Sequence, residues 1–477
     1  MPKRPNIIFI LTDDHAAHAM SCYGSRINRT PQLDRIAAGG ARLNNCFCTN
    51  SICTPSRAAI LTGTYNHVNG ATTLHTPLDN RIPTFPGLLR EQGYQTAVYG
   101  KWHLGERAEN CPNDAHFDDW AVLPGQGKYH NPEFIFKGPD GGTERVVPGY
   151  VTDLITDMSL DFIKGRDKEK PFCLLYHHKA PHREWESDEK HAAMYLDEDI
   201  PEPETLYDTY ENRSSAAKNA KMRVGTHMNR TDLDCEIQDK LPEMELRKWA
   251  YQKYIKKYLR VVASIDDNVG RVLDYLDEEG IADDTIVIYT SDQGFFLGDH
   301  GWYDKRFMYE ESLRMPFIMR YPRAIEPGTV NDSIVTNVDF APTLLNLCGL
   351  EAPEDFQGRD FLPAIRGREP EDWPESMYYR YWMDGDHVHN TRAHYGIRTK
   401  RYKLICYYND GFDLPGTSKP AEPLPIEWEL FDLEKDPCEM KSVYSDPEYA
   451  ETVKRLKAEL YRKQAEVGDE RYPGDTD

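Results

Sequence analysis

Short apolar runs that end at polar clusters recur along the chain. Four of them are rich in β-branched or aromatic side chains and are too short for helices: residues 7–12, 96–99, 172–176 and 285–290. Continuous apolar runs of this length are typical of strands that are buried on both faces of a parallel sheet. The pattern therefore predicts such a sheet in this protein.

Segments with apolar residues at helical spacing lie between these runs. Thr30-Pro31 opens one predicted helix and Gly39-Gly40 closes it, and a longer helix is predicted over residues 249–279, where Gly280 ends it. The alternation of strands and helices predicts a doubly wound α/β domain. We expect this domain to span residues 1–370.

Three further segments have different patterns. Residues 183–248 are polar, charged and weakly periodic, which indicates a surface insertion next to the functional site. Proline and charged residues become frequent over residues 351–376, which indicates a linker. A smaller C-terminal α+β subdomain is expected at residues 371–477. Its antiparallel strands are predicted over residues 377–382, 395–398, 402–408 and 428–432, and its helix near residues 449–467.

The composition excludes several functions. The chain has 477 residues and a formal net charge of −22, which argues against nucleic acid or an anionic membrane surface as a partner. No apolar run approaches the roughly 20 residues that cross a bilayer. The ten cysteines are scattered and give neither a zinc spacing nor a disulfide framework. The first residues contain no secretory apolar segment, so we expect a cytoplasmic protein, or a periplasmic or secreted one if a signal has been removed.

Ionisable side chains follow all four predicted strands. In strand order they are Asp13-Asp14, Lys101-Trp102-His103, His177-His178 with His182, and Asp292-Gln293. Ligands of open parallel sheets bind outside the carboxyl ends of the strands. We therefore expect these side chains to converge on one site.

Oxygen donors follow the first and fourth strands. Asp13, Asp14, Asp292 and Gln293 offer hard oxygen ligands, which suit calcium or magnesium better than zinc. The alternative is that Asp13 and Asp14 cap a helix, since aspartate is a favoured N-cap residue.

The stretch Cys53-Thr54-Pro55-Ser56-Arg57 places a thiol at the start of a short predicted helix. Pro55 suits the first helical turn, where unpaired N–H groups and the helix dipole favour an anion. Arg57 adds a planar fork of donors that keeps its charge. From these five residues alone, an activated cysteine nucleophile and a small buried residue remain open.

Together with Leu61-Thr62-Gly63, this stretch resembles the signature of the type I sulfatases. Residues 6–14 and 291–294 resemble the two metal-binding segments of that family. The resemblance implies an alkaline-phosphatase-like fold with a doubly wound mixed sheet. It also implies that a maturation enzyme oxidises Cys53 to formylglycine, and that Ca²⁺, or alternatively Mg²⁺, is bound. The implied metal ligands are Asp13, Asp14, Cys53, Asp292 and Gln293, the last of which is Asn or His in many relatives.

The segment Lys101-Trp102-His103-Leu104-Gly105 is similar to the second signature of the family. By this resemblance Lys101 and Arg57 contact the sulfate, and His103 is a base. His182 matches the residue that contacts the ester oxygen, with His178 as a neighbouring candidate, and Lys305 matches the second active-site lysine. The implied reaction is attack on sulfur by a hydrated aldehyde at residue 53, with His182 or Lys305 as the acid. Solvated loop lysines are the alternative for Lys101 and Lys305.

Residues 178–185, 207–213 and 394–404 resemble bacterial sulfatases that remove 6-O-sulfate from N-acetylglucosamine in glycosaminoglycans. The resemblance implies an exo-acting enzyme with a sulfated saccharide substrate. Candidate sugar contacts are His178, His389, Arg392 and His394, with ordinary exposed hairpin residues as the alternative. Two other functions remain open: a formylglycine-dependent phosphonate monoester or phosphodiester hydrolase, and a sulfated-glycan binding protein whose Cys53 is not oxidised.

Overall fold

The computed structural model describes residues 4–105, 110–139, 142–420, 422 and 424–475. Its strands are β1 (Asn6–Thr12), β2 (Ala41–Leu43), β3 (Cys46–Phe47), β4 (Gln95–Lys101), β5 (Asp119–Leu123), β6 (Glu133–Phe136), β7 (Thr143–Val146), β8 (Phe172–His177), β9 (Thr285–Ser291), β10 (Phe296–Leu297), β11 (Tyr303–Asp304), β12 (Phe317–Arg320), β13 (Thr329–Asn331), β14 (Val335–Thr336), β15 (Ser376–Tyr381), β16 (His394–Thr399), β17 (Tyr402–Tyr407) and β18 (Glu427–Asp432). Its α-helices are α1 (Pro31–Ala38), α2 (Cys53–Thr62), α3 (Asn66–Asn69), α4 (Phe85–Glu91), α5 (Val151–Gly165), α6 (Ser215–Asn219), α7 (Arg230–Leu233), α8 (Glu243–Glu278), α9 (Glu310–Leu313), α10 (Phe340–Leu347), α11 (Leu362–Ile365) and α12 (Ala450–Glu466).

Ten strands form one mixed sheet in the order β13-β2-β12-β9-β1-β8-β4-β5-β6-β7. The five central strands β9, β1, β8, β4 and β5 are parallel, and the antiparallel pairs lie outside them. The four strands predicted from apolar runs are four of these five central strands. Their carboxyl ends therefore lie along one edge of the sheet.

Helices cover both faces of this sheet, and β1 shows why. Its side chains alternate between two apolar clusters, as the pleat of a strand requires. Ile8 and Ile10 pack with residues of α1, α5 and α8, whereas Ile7, Phe9 and Leu11 pack with residues of α2, α4 and α10. The predicted doubly wound α/β architecture is confirmed.

The longest described helix, α8, begins at Glu243, ahead of the predicted residue 249. Pro242 is its N-cap, and the first turns are polar and mostly exposed, so apolar periodicity could not locate the start. Within the described residues, no helix has both the length and the apolar composition that a membrane crossing needs.

A second sheet, in the order β15-β16-β17-β18, is antiparallel and lies near the C-terminus. Leu456 and Leu460 of α12 pack against Tyr395 and Leu404 of this sheet. The predicted smaller antiparallel sheet and closing helix are confirmed. A domain boundary at residues 370 and 371 stays a prediction.

The segment of residues 183–248 is packed more closely than the sequence indicates. Trp185, Leu206, Met222 and Val224 are fully buried, and the Trp185 ring lies 4.7 Å from the ring of Tyr254 in α8. Single apolar residues between polar stretches anchor the segment to the sheet domain, and its interpretation as a surface insertion stays a prediction.

Candidate active site

Charged and polar side chains meet at the carboxyl edge of the central strands. Asp13 and Asp14 follow β1, Lys101 ends β4, and Asp292 and Gln293 follow β9. All five side chains are buried. The parallel pairing of these strands is what brings residues nearly 280 positions apart to one edge.

Helix α2 begins at this same edge. Cys53 is its first residue, and its N-cap, Ile52, provides no side-chain hydrogen bond. The first turn of a helix leaves N–H groups without intrahelical partners, and the dipole there favours negative charge. The Cys53 thiol lies 3.5 Å from Oδ1 of Asp13. An anion at the start of α2 would therefore lie beside the carboxylates.

Three carboxylates form the centre of the site. One oxygen from each of Asp13, Asp14 and Asp292 lies within 4.8 Å of the other two, and all three side chains are fully buried. Burial, opposed by the charge of Lys305, raises the pKa of Asp14 to about 6. Carboxylates this close repel one another unless cations lie among them.

Three basic side chains balance these carboxylates. Arg57 donates from Nε to Asp292 at 2.9 Å, and Lys305 Nζ lies 2.7 Å from Asp14. Lys101 Nζ contacts the Asp13 carboxylate. Arg57 also donates to the Lys101 carbonyl oxygen at 2.8 Å. The three formal positive charges cancel the three negative ones, so a bound divalent cation would leave the site positive and suited to a sulfate group.

The donor set fits a hard divalent metal ion. Besides the carboxylates, Oε1 of Gln293 is buried and has no hydrogen-bond partner among the described residues, while its Nε2 donates to Asp14 at 2.6 Å. Carboxylate and amide oxygens are the ligands that Ca²⁺ and Mg²⁺ prefer. Asp13, Cys53 and His182 form a second, overlapping group of close donors.

The environment of Cys53 is unsuited to a reactive thiolate. Burial is the largest effect and raises the pKa of the thiol to about 12, although Lys305 and Arg57 oppose the increase. Near neutral pH the residue is therefore a protonated thiol, which is a poor nucleophile. This observation does not support the activated-cysteine alternative.

Two histidines adjoin the charged centre in their neutral forms. Burial, reinforced by Lys101, holds the pKa of His103 well below its usual value, and its Nδ1 has no partner among the described residues. Burial also lowers the pKa of His182. His182 Nδ1 lies 2.6 Å from the Arg183 carbonyl oxygen and so carries the ring proton, and Nε2 is 3.8 Å from Asp14.

Four residues of this site have strained backbone conformations. Asp14, His103, Asp304 and Arg306 have left-handed conformations, with φ of 72°, 55°, 77° and 97°. Such conformations cost on the order of 1 kcal/mol or more each for residues other than glycine and persist where surrounding contacts impose them. The sequence gives no signal for this strain, because all four residues are ordinary strand-end or loop residues.

The predicted sugar contact His389 reaches the site through Asp304. His389 Nε2 lies 3.2 Å from the Asp304 carboxylate, and Asp304 directly precedes Lys305. Burial raises the pKa of Asp304, but the neighbouring His389, Lys305 and Arg306 hold it well below its usual value. Arg392 lies in the same loop and pairs with Asp384 at 2.6 Å. Asp304 is a site residue that sequence reasoning missed, although its position beside Lys305 was a signal.

The predicted sugar contact His394 is enclosed by protein groups. Its ring is fully buried, Nε2 accepts a hydrogen bond from the Met308 N–H at 3.1 Å, and Nδ1 donates to the Arg392 carbonyl oxygen at 2.8 Å. The ring also stacks on Tyr379 and Tyr381. Both ring nitrogens face backbone groups, and a sugar contact by His394 stays a prediction.

His178 is also buried, and its ring lies 4.3 Å from the ring of Tyr176. Its neighbour His177, to which the sequence assigned no role, places Nδ1 3.2 Å from the Lys101 carbonyl oxygen. A role for His178 shared with His182 stays a prediction.

Lys179 is a second residue of the site that sequence reasoning missed. Its Nζ donates to the Arg183 carbonyl oxygen at 3.0 Å, the same oxygen that accepts from His182. The ammonium lies 4.6 Å from the centre of the Tyr129 ring, and the Tyr129 hydroxyl donates to the His182 carbonyl oxygen at 2.6 Å. Burial lowers the pKa of Lys179 to about 8. Lys179 and Tyr129 thus hold the segment that carries His182.

Two protein-family models match the chain, and together they cover the residues of this site. A model described as Sulfatase matches residues 5–350, and one described as N-sulphoglucosamine sulphohydrolase, C-terminal, matches residues 298–466. The chain belongs to the sulfatase family. It is therefore a sulfuric ester hydrolase, and membership implies a formylglycine and a metal ion.

Individual relatives agree with this assignment. The N-acetylglucosamine-6-O-sulfatase of Bacteroides thetaiotaomicron is 42% identical, over 98% of this chain and 87% of its own. A structure solved in complex with its substrate D-glucosamine-2-N,6-O-disulfate is 40% identical, with a TM-score of 0.89 over the whole of both chains. A multifunctional alkaline phosphatase superfamily protein of Trinickia caryophylli is 29% identical over 94% of this chain and 93% of its own. The alkaline-phosphatase-like fold is confirmed.

Lys179→Met is expected to lower kcat by about tenfold to a hundredfold. Loss of its contacts would displace His182, and small displacements of reacting groups have effects of this size. Loss of the ammonium also raises the pKa of His182, since Lys179 is among the cations that lower it. The part of the pH profile due to His182 should then move to higher pH. Measured kcat profiles would show this, and Lys179→Arg should restore the wild-type profile. An unchanged profile in Lys179→Met would contradict the positioning role.

Proposed function

We propose that this sulfatase removes 6-O-sulfate from terminal N-acetylglucosamine of glycosaminoglycans or other glycans. The main support is the likeness, over nearly the whole chain, to the Bacteroides enzyme named for that reaction. The solved relative bound to a 6-O-sulfated glucosamine gives further support. Within the chain, the contact of His389 with Asp304 joins a C-terminal loop to the catalytic centre, as recognition of a sugar beside its sulfate requires.

The metal ion that we propose is Ca²⁺, held by Asp13, Asp14, Asp292 and Gln293 beside residue 53. When bound, it would polarise the sulfate oxygens as a Lewis acid. The formylglycine derived from Cys53 supplies, as its hydrate, the hydroxyl group that reacts with sulfur. Cys53 is 1% exposed, so the maturation enzyme must reach it before α2 is packed into the fold.

The remaining groups act by charge and by proton transfer. Arg57, Lys101 and Lys305 surround the position beside Cys53 and stabilise negative charge on sulfate oxygens, which is usually the largest catalytic effect. His103 is neutral, so it accepts a proton when the covalent sulfate is released. His182 donates from Nε2 only after the ring is protonated, because its single proton lies on Nδ1. Lys305 carries a proton at neutral pH and is the alternative acid for the departing alcohol.

A panel of defined monosaccharides tests the proposal. Purified protein with a verified formylglycine should release sulfate from N-acetylglucosamine 6-sulfate and not from the 3- or 4-sulfate. The same preparation should prefer an aryl sulfate to an aryl phosphonate and an aryl phosphodiester, which separates this function from that of a phosphonate or phosphodiester hydrolase. Preference for the phosphorus esters would overturn the proposal.

His389→Ala is expected to raise KM for N-acetylglucosamine 6-sulfate by about tenfold to a hundredfold, the effect of losing hydrogen bonds near charged groups. Activity on an aryl sulfate without sugar hydroxyls should change little. Val388 is exposed and adjacent, so Val388→Ala is the matched control and should behave as wild type. If activity falls equally on both substrates, His389 acts by positioning Asp304 and Lys305 and not by contacting the sugar.

A further inference from the structure

Helix α8 contains a cationic stretch that catalysis does not use. Residues 246–265 include six basic residues and no aspartate or glutamate, although the chain as a whole has a formal charge of −22. Arg247 is buried and bonded to the Leu206 carbonyl oxygen. The other five are Lys248, Lys253, Lys256, Lys257 and Arg260.

These five residues line one side of a surface groove of about 590 Å³. Tyr195, Leu196 and Trp249 add apolar and aromatic surface, and Leu196 is 63% exposed. Aromatic faces bind the C–H faces of sugars, and cations bind their sulfate and carboxylate groups. The groove combines both kinds of surface.

Acidic side chains neutralise only part of this charge. Asp199, Asp234 and Glu245 also line the groove, and Lys256 lies 3.6 Å from Asp199. Among the described residues, that is the one ion pair within 4 Å that joins two residues of the groove. Lys248 and Lys253 are exposed and available to an anionic ligand.

The groove adjoins a second surface depression. A neighbouring depression of about 430 Å³ shares Asp234, Lys257 and Arg260 with it. Residues 184–187 line this second depression, and they directly follow the segment that carries His182.

We propose that the groove binds the anionic chain of a sulfated glycosaminoglycan outside the pocket where sulfate is removed. The proposal rests on the proposed function for the identity of the ligand. The groove gives an acidic enzyme a local cationic surface that attracts a polyanion at low ionic strength.

The test uses Lys248→Glu/Lys253→Glu and a matched control, Lys441→Glu/Lys454→Glu, which makes the same charge change at exposed positions near the C-terminus. Both pairs are placed in a Cys53→Ala background, and binding of a labelled heparin decasaccharide is measured by fluorescence anisotropy at low salt. Excess glucosamine 6-sulfate fills the catalytic pocket. The groove variant should bind about tenfold more weakly than its parent, from the usual energies of exposed charges, and the control should bind like the parent.

Two results would overturn the proposal: equal binding by the groove variant and its parent, or complete competition by glucosamine 6-sulfate. Equally tight binding of a labelled glutamate decapeptide would overturn the saccharide assignment. Sulfate release from N-acetylglucosamine 6-sulfate is measured separately with Cys53 intact, and both charge variants should match wild type. If wild type released no sulfate from this substrate, the proposed function would be refuted. The heparin measurements would still show whether the groove binds a sulfated saccharide.

Discussion

Cys53→Ala is expected to remove essentially all sulfate release, with a loss of about 10⁴-fold or more, because deletion of a nucleophile has an effect of this size. Alanine has no side-chain sulfur to oxidise, so no aldehyde forms at the start of α2. In wild-type protein whose Cys53 is not oxidised, the thiol does not replace the aldehyde, because burial keeps it protonated. Initial rates of sulfate release with N-acetylglucosamine 6-sulfate provide the measurement.

Cys53→Ser is the informative companion variant. A serine hydroxyl lies at the same position but lacks the second hydroxyl of an aldehyde hydrate, so a covalent sulfate should remain attached. Intact-mass spectrometry should detect the sulfated protein after incubation with substrate. Multiple turnovers by a sequence-verified Cys53→Ala protein would contradict the assignment of the nucleophile.

Asp13→Asn should lower activity by roughly 10³-fold, the scale expected for losing a major electrostatic contribution. Asp13 is fully buried, contacts Lys101 and lies beside Cys53, so its charge serves both the metal ion and the sulfate-binding cations. After chelation, added Ca²⁺ should raise the melting temperature of wild type by a few degrees, since a ligand at about 100 times its Kd contributes about 2.7 kcal/mol. The Asp13→Asn protein should lack this increase.

Asp266→Asn is the matched control for the calcium experiment. Asp266 is a buried carboxylate that accepts hydrogen bonds from the Gln32 and Leu33 N–H groups at the start of α1, away from the proposed metal site. This variant should keep the calcium-dependent increase in melting temperature. The metal assignment fails if Asp13→Asn retains an increase as large as that of wild type.

The sequence predicted those parts of the fold that follow from local pattern. The apolar runs located β1, β4, β8 and β9 because strands that are buried on both faces admit few polar residues. The positions of Asp13, Asp14 and Asp292 at one edge then followed from parallel pairing. The placement of Cys53 as the first residue of α2 agrees with the preference of Pro55 for the first helical turn.

Contacts between distant segments could not be predicted in this way. His389 and Asp304 meet because the loop before β16 folds back to β11, and no periodicity records that approach. His394 is the first residue of β16, and which face of a strand is buried depends on the partner that covers it. Lys179 is charged in the sequence, so its burial against Tyr129 required the tertiary structure.

We propose that an oxidised residue 53, set among the three carboxylates and three cations, hydrolyses the sulfate ester. The role of this residue is measured by kcat on N-acetylglucosamine 6-sulfate in preparations that differ in the fraction of formylglycine, determined by mass spectrometry. We expect kcat to rise in proportion to this fraction and to extrapolate to zero for protein with unmodified Cys53. A kcat that does not depend on the fraction would contradict it.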